Sequence, residues 1–421
     1  MNRIQTQVLI VGAGPAGLAA GIQLKRLGVG KVLVVDREPE AGGMPRFCHH
    51  WGFGVFDLHR WLTGPGYARH YVRSALRHGV EIRTQTTVIA LAGDRQCVVS
   101  SPAGLQEIQA QAVLLATGCR ERPRAARLIA GDRPSGVFMT GSLQGFVHML
   151  QGPVGKRAVL VGAELVSMSA LLTLSKAHCK VEAIITDQPC HQVRGLYWPA
   201  KLFLADLRLR KPILTNSVVH RIIGRQRVEA VEIRNTKTGT LRTVPCDTVV
   251  FTGDWIPDHE LARRAGVDMN SRTQGPVVDT QLATSHAGLY AAGNLLRGAE
   301  TADRAAAEGA FAAQAMHRYL RSAMAAPQRI PILPEAPIQW ISPDAITLEA
   351  RQTPGGRLCF RVQTICKQAK IKAMQNGEVL YERRYGFCVP NYSYYLSDHW
   401  LAKIKTDKSP IQISLSCGEQ N

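Results

Sequence analysis

The sequence predicts an α/β chain with two Rossmann-like βαβ units and a smaller β-rich segment at its end. Three observations predict it. An apolar run, a glycine-containing turn, a helical stretch and a second apolar run occur in that order near the N-terminus and again from residue 158. Each unit is later closed by an apolar strand that ends in Thr-Gly. Beyond residue 326 helical periodicity gives way to strand-like alternation and turn residues.

Composition narrows the class. The 421 residues are 45% hydrophobic and 20% charged, enough apolar material to bury large cores, which excludes disorder as the main state. Ten cysteines without paired spacing make no disulfide framework, so a reducing, cytoplasmic setting is expected. The net charge of +19 suits nucleic acid, anionic lipid, an acidic partner or an acidic substrate. Basic residues cluster at Arg120, Arg122, Arg124 and Arg127 and again from Arg208 to Arg227, but no nucleic-acid motif accompanies them. Nucleic-acid binding is not expected. Arg3 and the apolar stretch behind it resemble a secretory leader, yet Gly12, Gly14, Pro15 and Gly17 interrupt the stretch. No apolar run reaches about 18 residues, so no membrane span is expected.

The first unit is complete. Val8–Val11 is a short buried-strand run that leads into Gly12-Ala13-Gly14-Pro15-Ala16-Gly17, a GxGxxG. Leu18 to Leu27 reads as a helix with Gly21 one turn on, and Lys31–Val35 as a second strand ending in Asp36. Gly12 allows the tight turn, Gly14 lets backbone approach a pyrophosphate, and Gly17 lets the helix pack on the sheet. The helix start offers N–H groups to phosphate, and Asp36 is placed to accept from a ribose hydroxyl pair. Two more strands, Ala112–Leu115 before Ala116-Thr117-Gly118 and Gly288–Asn294 before a helix from about Ala302 to Tyr319, extend the pattern.

Together these segments resemble the two-dinucleotide-domain flavoproteins, the glutathione-reductase-like superfamily, over residues 7–325. The resemblance implies two Rossmann-like domains of FAD and NAD(P) type, the second inserted in the first: residues 1–152 and 256–325 form the FAD domain and 153–255 the insert. It implies FAD in the first. Gly12, Gly14, Pro15, Ala16 and Gly17 then meet the pyrophosphate, Asp36 with Arg37 the adenosine ribose, and Val88 the adenine. Gly43, Arg46, Ala116, Thr117, Gly118 and Gly293 join the cofactor site. Asn294 reaches the ribityl chain, and Glu300 and Thr301 start the helix that faces the flavin pyrimidine. The family usually has Asp where Asn294 stands; Asn keeps the hydrogen-bonding reach without the charge.

In that superfamily the second unit binds NAD(P)H. Here it runs Ala158–Val161, a helix from about Leu165 to Ala177, and Val181–Ile185, and Thr248–Asp254 closes it. Its turn reads Gly162-Ala163-Glu164-Leu165-Val166-Ser167, with Glu164 where the pyrophosphate needs glycine. Like charges about 4 Å apart cost about 1 kcal/mol even in water. The fold is expected to survive and the nicotinamide site to be lost. The family's other electron route, a cysteine pair, is absent: Met44-Pro45-Arg46-Phe47-Cys48-His49-His50 holds one cysteine, and no CxxC occurs anywhere. Cys48, His49, His50 and His59 lack a metal-ligand frame, so no metal is expected. Cys48 and His50 are either part of a loop packed beside the flavin or groups that touch substrate or tune the flavin.

Gly42–Arg46, Thr117–Arg124, Gly131–Pro134, Val161–Leu165 and Arg297–Asp303 resemble one subgroup, the FAD-binding alpha subunits of bacterial amine and amino-acid dehydrogenase complexes, such as opine oxidase, hydroxyproline dehydrogenase and hydrogen cyanide synthase. That implies oxidation of a small amine or amino acid, a second flavoprotein and an iron–sulfur protein as partner subunits, and a non-nicotinamide acceptor. An NAD(P)H-dependent flavin reductase and a non-catalytic, FAD-stabilised assembly subunit remain as alternatives. The segment 326–421 reads as a proline-rich linker (Pro327, Pro331, Pro334, Pro337) and a small β domain, with Asn376-Gly377 marking a hairpin and Ile411, Ile413 and Leu415 a last strand. Cys359, Cys366, Cys388 and Cys417 lack the close pairs a two-iron cluster needs. A docking or lid role follows for this tail, with FAD binding expected to survive its removal.

Overall fold

The computed structural model describes residues 2–93, 95–193, 213–321 and 328–418. Arg208 of the second basic cluster and Pro327 of the expected linker lie outside them. Two compact units divide the chain. The first comprises Met1–Arg46, Trp51–Arg120 and Ile256–Asn421; the second comprises Phe47–His50 and Glu121–Trp255. The change-over falls at Glu121 rather than after residue 152, because Val137–Met139 pairs in parallel with Val249–Phe251 inside the second unit's sheet.

In the first unit the strands β1 (Asn2–Val11), β2 (Val32–Val35), β3 (Trp51–Phe53), β4 (Leu62–Thr63), β5 (Glu81–Arg83), β6 (Thr87–Leu91), β7 (Gln96–Ser101) and β8 (Gly104–Leu115) follow in order. All but β3 and β4 join one sheet in the order β5-β2-β1-β8-β7-β6, and Leu289–Ala291 pairs in parallel with β8. Val8, Leu9, Ile10, Val113, Leu114 and Leu115 are all fully buried, as strands covered on both faces must be. Helix α1 (Pro15–Arg26) lies against β2, and α2 (Gly64–Arg77) starts at Thr63, whose hydroxyl accepts from Gly66 N–H at 3.3 Å.

The second unit has its own parallel sheet of five strands, in the order Val137–Met139, Thr248–Phe251, Arg157–Val161, Lys180–Ile185, Ile213–Leu214. Helices α3 (Thr140–His148) and α4 (Leu165–Lys176) pack on it. A separate four-stranded sheet is built largely from Ser217–Ile223, Ala230–Asn235 and Leu241–Pro245.

Helix α5 (Ala302–Arg321) returns the chain to the first unit. The C-terminal β segment then forms a five-stranded and a three-stranded sheet around a core containing Ile341, Phe360, Ile371 and Trp400. The hairpin forms as expected, between Cys366–Gln375 and Glu378–Cys388, with both Asn376 and Gly377 at positive φ (50° and 79°).

Two expectations for the tail fail. Pro331 and Pro334 do not make a linker; they lie in the strand Arg329–Pro334. That strand pairs with Ala345–Thr347 over its first half and with Ile411–Ile413 over its second, so it is never paired on both edges at once and tolerates prolines. Cys366 and Cys417 are joined by a disulfide with Cα atoms 5.1 Å apart, a pairing that their separation of 51 residues hides in the sequence. The tail belongs to the same compact unit as the flavin-type sheet. Asn270 donates to Asp344 and Arg329 pairs with Asp279 at 2.9 Å. Arg361 donates to Ala299 carbonyl at 2.6 Å and to Glu300 at 3.2 Å, and the Arg361 and Glu300 side chains are only 11% and 5% exposed.

Breaking such a buried pair on one side costs up to about 3–5 kcal/mol, because the buried carboxylate loses its nearest cation and is left with Arg297 at 3.9 Å and the Ser393 and Tyr395 hydroxyls. Arg361→Ala is therefore expected to lower the unfolding midpoint by many degrees and to loosen flavin together with the tail. Thermal unfolding followed by flavin and tryptophan fluorescence checks this: two widely separated transitions, flavin staying bound through the first, would mean that the tail is an independent module.

Candidate functional site

The first glycine turn has the shape of an anion cradle. Gly12 (φ 109°) closes on the Ala116 carbonyl, and Gly17 closes on the Gly12 carbonyl; a Cβ at either would strike that oxygen. Gly14 differs. A Cβ there would find nothing nearer than Gly43 Cα at 4.0 Å, so it borders open space. Gly43 (φ 62°) stands back to back with it. Gly14 is the N-cap of α1, with no side-chain cap and no acid in the first turn, and Pro15 follows at the start. The helix thus presents its N–H groups and partial positive charge to whatever enters.

Asp36 is fixed beside this turn: Oδ2 accepts from Ala13 N–H at 2.6 Å and Oδ1 from Glu38 N–H at 2.9 Å. A carboxylate with two such anchors keeps lone pairs for a ribose diol. Thr86 N–H bonds to Asp36 carbonyl at 2.8 Å, which brings the start of β6 and half-buried Val88 to the same end of the unit. Ala116 N–H bonds to Val11 carbonyl at 2.8 Å, Thr117 hydroxyl donates to Asp258 carbonyl at 2.8 Å, and Gly118 takes positive φ. Gly293 N–H donates to Glu308 at 3.1 Å. Asn294 accepts from Glu300 N–H at 3.1 Å through its side-chain oxygen, so the amide NH2 is the group it can turn to a ligand. Thr301 directly precedes α5, and its carbonyl accepts from Ala305 N–H at 3.1 Å.

Three expected cofactor residues have other work. Arg37 pairs with Asp258 at 3.2 Å. Arg46 is buried and donates to Glu40 carbonyl at 2.8 Å and to the Glu40 carboxylate at 3.0 Å. Glu300 turns to the tail, where Arg361, Ser393 and Tyr395 surround its carboxylate. Burial alone would raise that carboxyl, but Arg361, Arg297 and Ser393 outweigh it and hold it below its ordinary value. Sequence reasoning missed Arg297, Glu308 and Arg361. Two buried charges close together in Arg297–Glu308 were the available signal.

Cys48 and His50 belong to the second unit with the α3 residues. The Cys48 thiol lies 3.5 Å from Gln144 Oε1, and burial pushes it up to about 12, with the Gln144 bond opposing and the Glu121 charge adding. Burial of this kind disfavours the thiolate, which is the nucleophilic form. His49 stacks on His148 at 4.2 Å, and burial, His49, Lys176 and His50 push His148 down to about 4. Among the described residues no cluster could hold a metal. The first basic cluster is spent internally. Arg122 pairs with Asp254 at 3.0 Å, Arg124 donates to Ala130 carbonyl at 2.7 Å, and Arg127 to Gly253 carbonyl at 2.7 Å. Arg120 pairs with Asp258 at 3.1 Å.

The second unit's turn inverts the first. Gly162 (φ 125°) keeps the tight bend, but Glu164 is the N-cap of α4; its backbone carbonyl accepts from Ser167 N–H at 3.1 Å, and Ser167 hydroxyl accepts from Glu164 N–H at 3.1 Å. A Cβ on Gly162 or Gly253 would meet the Glu164 carboxylate, so that group fills the space above the turn. Burial raises the Glu164 carboxyl, against lowering by Thr252, its own N–H, Ser167 and Arg127. The folded chain holds this proton more tightly than the unfolded one. Stability is therefore expected to fall as pH rises from the unfolded value of about 4.3 through the raised folded value. Glu164→Gln should remove that slope; urea unfolding across this window checks it, and parallel pH profiles would refute it.

A two-unit flavoprotein with one open and one self-filled dinucleotide turn is the class that fold and site define. The chain belongs to the pyridine nucleotide-disulphide oxidoreductase family, whose model matches residues 6–309. It is an FAD-dependent oxidoreductase. It is 24% identical over 319 residues to a ferredoxin–NADP reductase of Ignicoccus hospitalis, covering 75% of this chain and 98% of that protein. It is 28% identical over 327 residues to an opine oxidase subunit of Agrobacterium tumefaciens, covering 72% of this chain but 63% of that protein. Among solved structures, T. acidophilum thioredoxin reductase superposes with a TM-score of 0.64 at 22% identity, over 76% of this chain and 99% of that one, which shows the fold.

Proposed function

We propose that the flavin of this oxidoreductase takes its electrons from a small amine or amino acid, directly or through partner subunits, rather than from a nicotinamide dinucleotide. The observation that carries this reading is the Glu164 carboxylate seated on the N-terminus of α4, where the second dinucleotide's phosphates would lie. FAD, when bound, supplies the hydride and electron transfer. This chain's residues do the holding. The N–H groups of the Gly12–Gly17 turn bind the pyrophosphate with Gly14 as the point of closest approach, Asp36 takes the ribose, and Asn294 offers its amide to the ribityl chain.

The partial likeness to a protein named as a subunit of an opine oxidase supports C–N oxidation within a complex. A second reading is an NAD(P)H-dependent flavin reductase. The relatives matched nearly end to end are named reductases, and they support that reading better than they support the dehydrogenase complex. Anaerobic titration of the purified flavoprotein separates the two. Bleaching by amines or opines but not by NADPH or NADH upholds the first; rapid bleaching by either nicotinamide establishes the second. A flavin that no donor bleaches leaves the non-catalytic assembly role.

A further inference from the structure

We propose that the β3–β4 hairpin and the arginine face of α2 form a docking surface for anionic lipid headgroups. Three large aromatic side chains are exposed within eleven residues of chain: Trp51 is 61% exposed, Phe56 60% and Trp61 65%. Trp51 lies opposite Thr63 in the β3–β4 pairing, and Trp61 directly precedes β4. Helix α2 leaves β4 directly and packs on both strands. On it Arg69, Arg73 and Arg77 recur at i, i+4 and i+8, all exposed, with Leu76 exposed beside them.

The charge here has one sign. Residues 47–80 contain a single acid, Asp57, against Arg60, Arg69, Arg73 and Arg77. Asp57 is turned inward, its Oδ2 accepting the hydroxyls of Tyr67 at 2.6 Å and Tyr71 at 2.7 Å. No acid on α2 offsets the repulsion among its arginines. Two kinds of macromolecule could meet aromatic rings and arginines. A protein interface puts its aromatic anchors into shaped pockets and rims them with mixed polar groups. An anionic bilayer needs only positive charge and rings of tryptophan or phenylalanine at headgroup depth. Exposed rings beside the row of arginines on α2 fit the bilayer. Among the described residues no helix is long and apolar enough to cross a membrane, so the contact is one of lying on the surface.

The test uses the full-length, flavin-loaded protein with phosphatidylcholine vesicles containing about one-third phosphatidylglycerol, and with phosphatidylcholine alone. Co-sedimentation with the anionic vesicles, a blue shift of tryptophan emission, and release by salt are expected. R69Q/R73Q/R77Q should weaken binding about a hundredfold, at about fivefold per arginine. F56S/W61S should weaken it at least tenfold and abolish most of the blue shift, roughly as expected for lost interfacial burial. Both variants should keep the flavin spectrum and unfolding midpoint of the parent, which excludes misfolding as the cause. No co-sedimentation at low ionic strength overturns the proposal, as does binding that both variants leave intact. A dimer that F56S/W61S dissociates, with no vesicle binding by either form, assigns the patch to a second copy and also overturns it. Sedimentation requires no electron donor, so its failure is separate from failure of the amine-oxidation reading.

Discussion

Gly14→Glu is expected to yield a folded protein that purifies without flavin. The substitution would give the first unit the same feature that closes the second, a carboxylate on the N-terminus of the helix that follows the turn. At Gly14 the added side chain meets no obstacle in the protein, since the nearest atom to a Cβ would be Gly43 Cα at 4.0 Å. The fold therefore has no reason to fail, and the loss falls on the ligand. A carboxylate about 4 Å from a phosphate charge costs about 4 kcal/mol near a protein surface, or about a thousandfold in affinity. Absorbance of the purified protein decides it. Stoichiometric FAD in Gly14→Glu would remove the pyrophosphate from this turn altogether. Gly14→Ala serves as the control for backbone effects and should remain folded.

The reverse substitution, Glu164→Gly, is expected to let NADPH reduce a flavin that the parent protein shields from it. Removing the carboxylate opens the space over Gly162 and Gly253 and bares the start of α4. Glycine remains an acceptable N-cap, at a cost of only a few tenths of a kcal/mol. Arg127 then works for the new ligand. Its guanidinium donates to the Thr252 and Gly253 carbonyls at 3.2 and 2.7 Å, and Glu164 is among the charges that now act on it. With the acid gone, that positive charge faces an incoming phosphate. The anaerobic reduction rate by NADPH should rise at least a hundredfold, equivalent to about 2.7 kcal/mol of removed repulsion and exclusion. Fast reduction of the parent would show that Glu164 is no barrier. A variant as inert as the parent would show that the barrier lies elsewhere.

What was legible in the sequence is what is local. The Gly12–Gly17 turn, the apolar strands around it and the Asn376-Gly377 hairpin each carry their geometry within a dozen residues, and the structure forms them where they were expected. Glu164 could be read because a single side chain at a glycine position has a steric meaning. The failures are all long-range. Arg120, Arg122, Arg124 and Arg127 looked like a surface cluster until partners beyond residue 250 and nearby carbonyls consumed them. Nothing in the segment of Glu300 announces its partners Arg361 and Ser393. Cys366 and Cys417 meet only because their strands end side by side. Pro331 and Pro334 marked a linker by composition, yet the strand they occupy is paired one edge at a time.

The meeting of α1 and α5 bears on how the protein is made. Gly309 of α5 sits so close to the Ala16 carbonyl of α1 that a Cβ there would overlap it, and Leu289–Ala291 is the strand that completes the free edge of β8. The N-terminal half of the cofactor domain thus leaves the ribosome long before the segments that cover it. At about 5–20 residues per second, the gap between β8 and its last partner corresponds to roughly ten to thirty seconds of translation. During that interval α1 lacks its neighbour, β8 shows an unpaired edge, and the second unit, whose sheet lies wholly between Glu121 and Trp255, can close by itself. The nascent chain therefore spends its most aggregation-prone period with a finished domain hanging from an unfinished one.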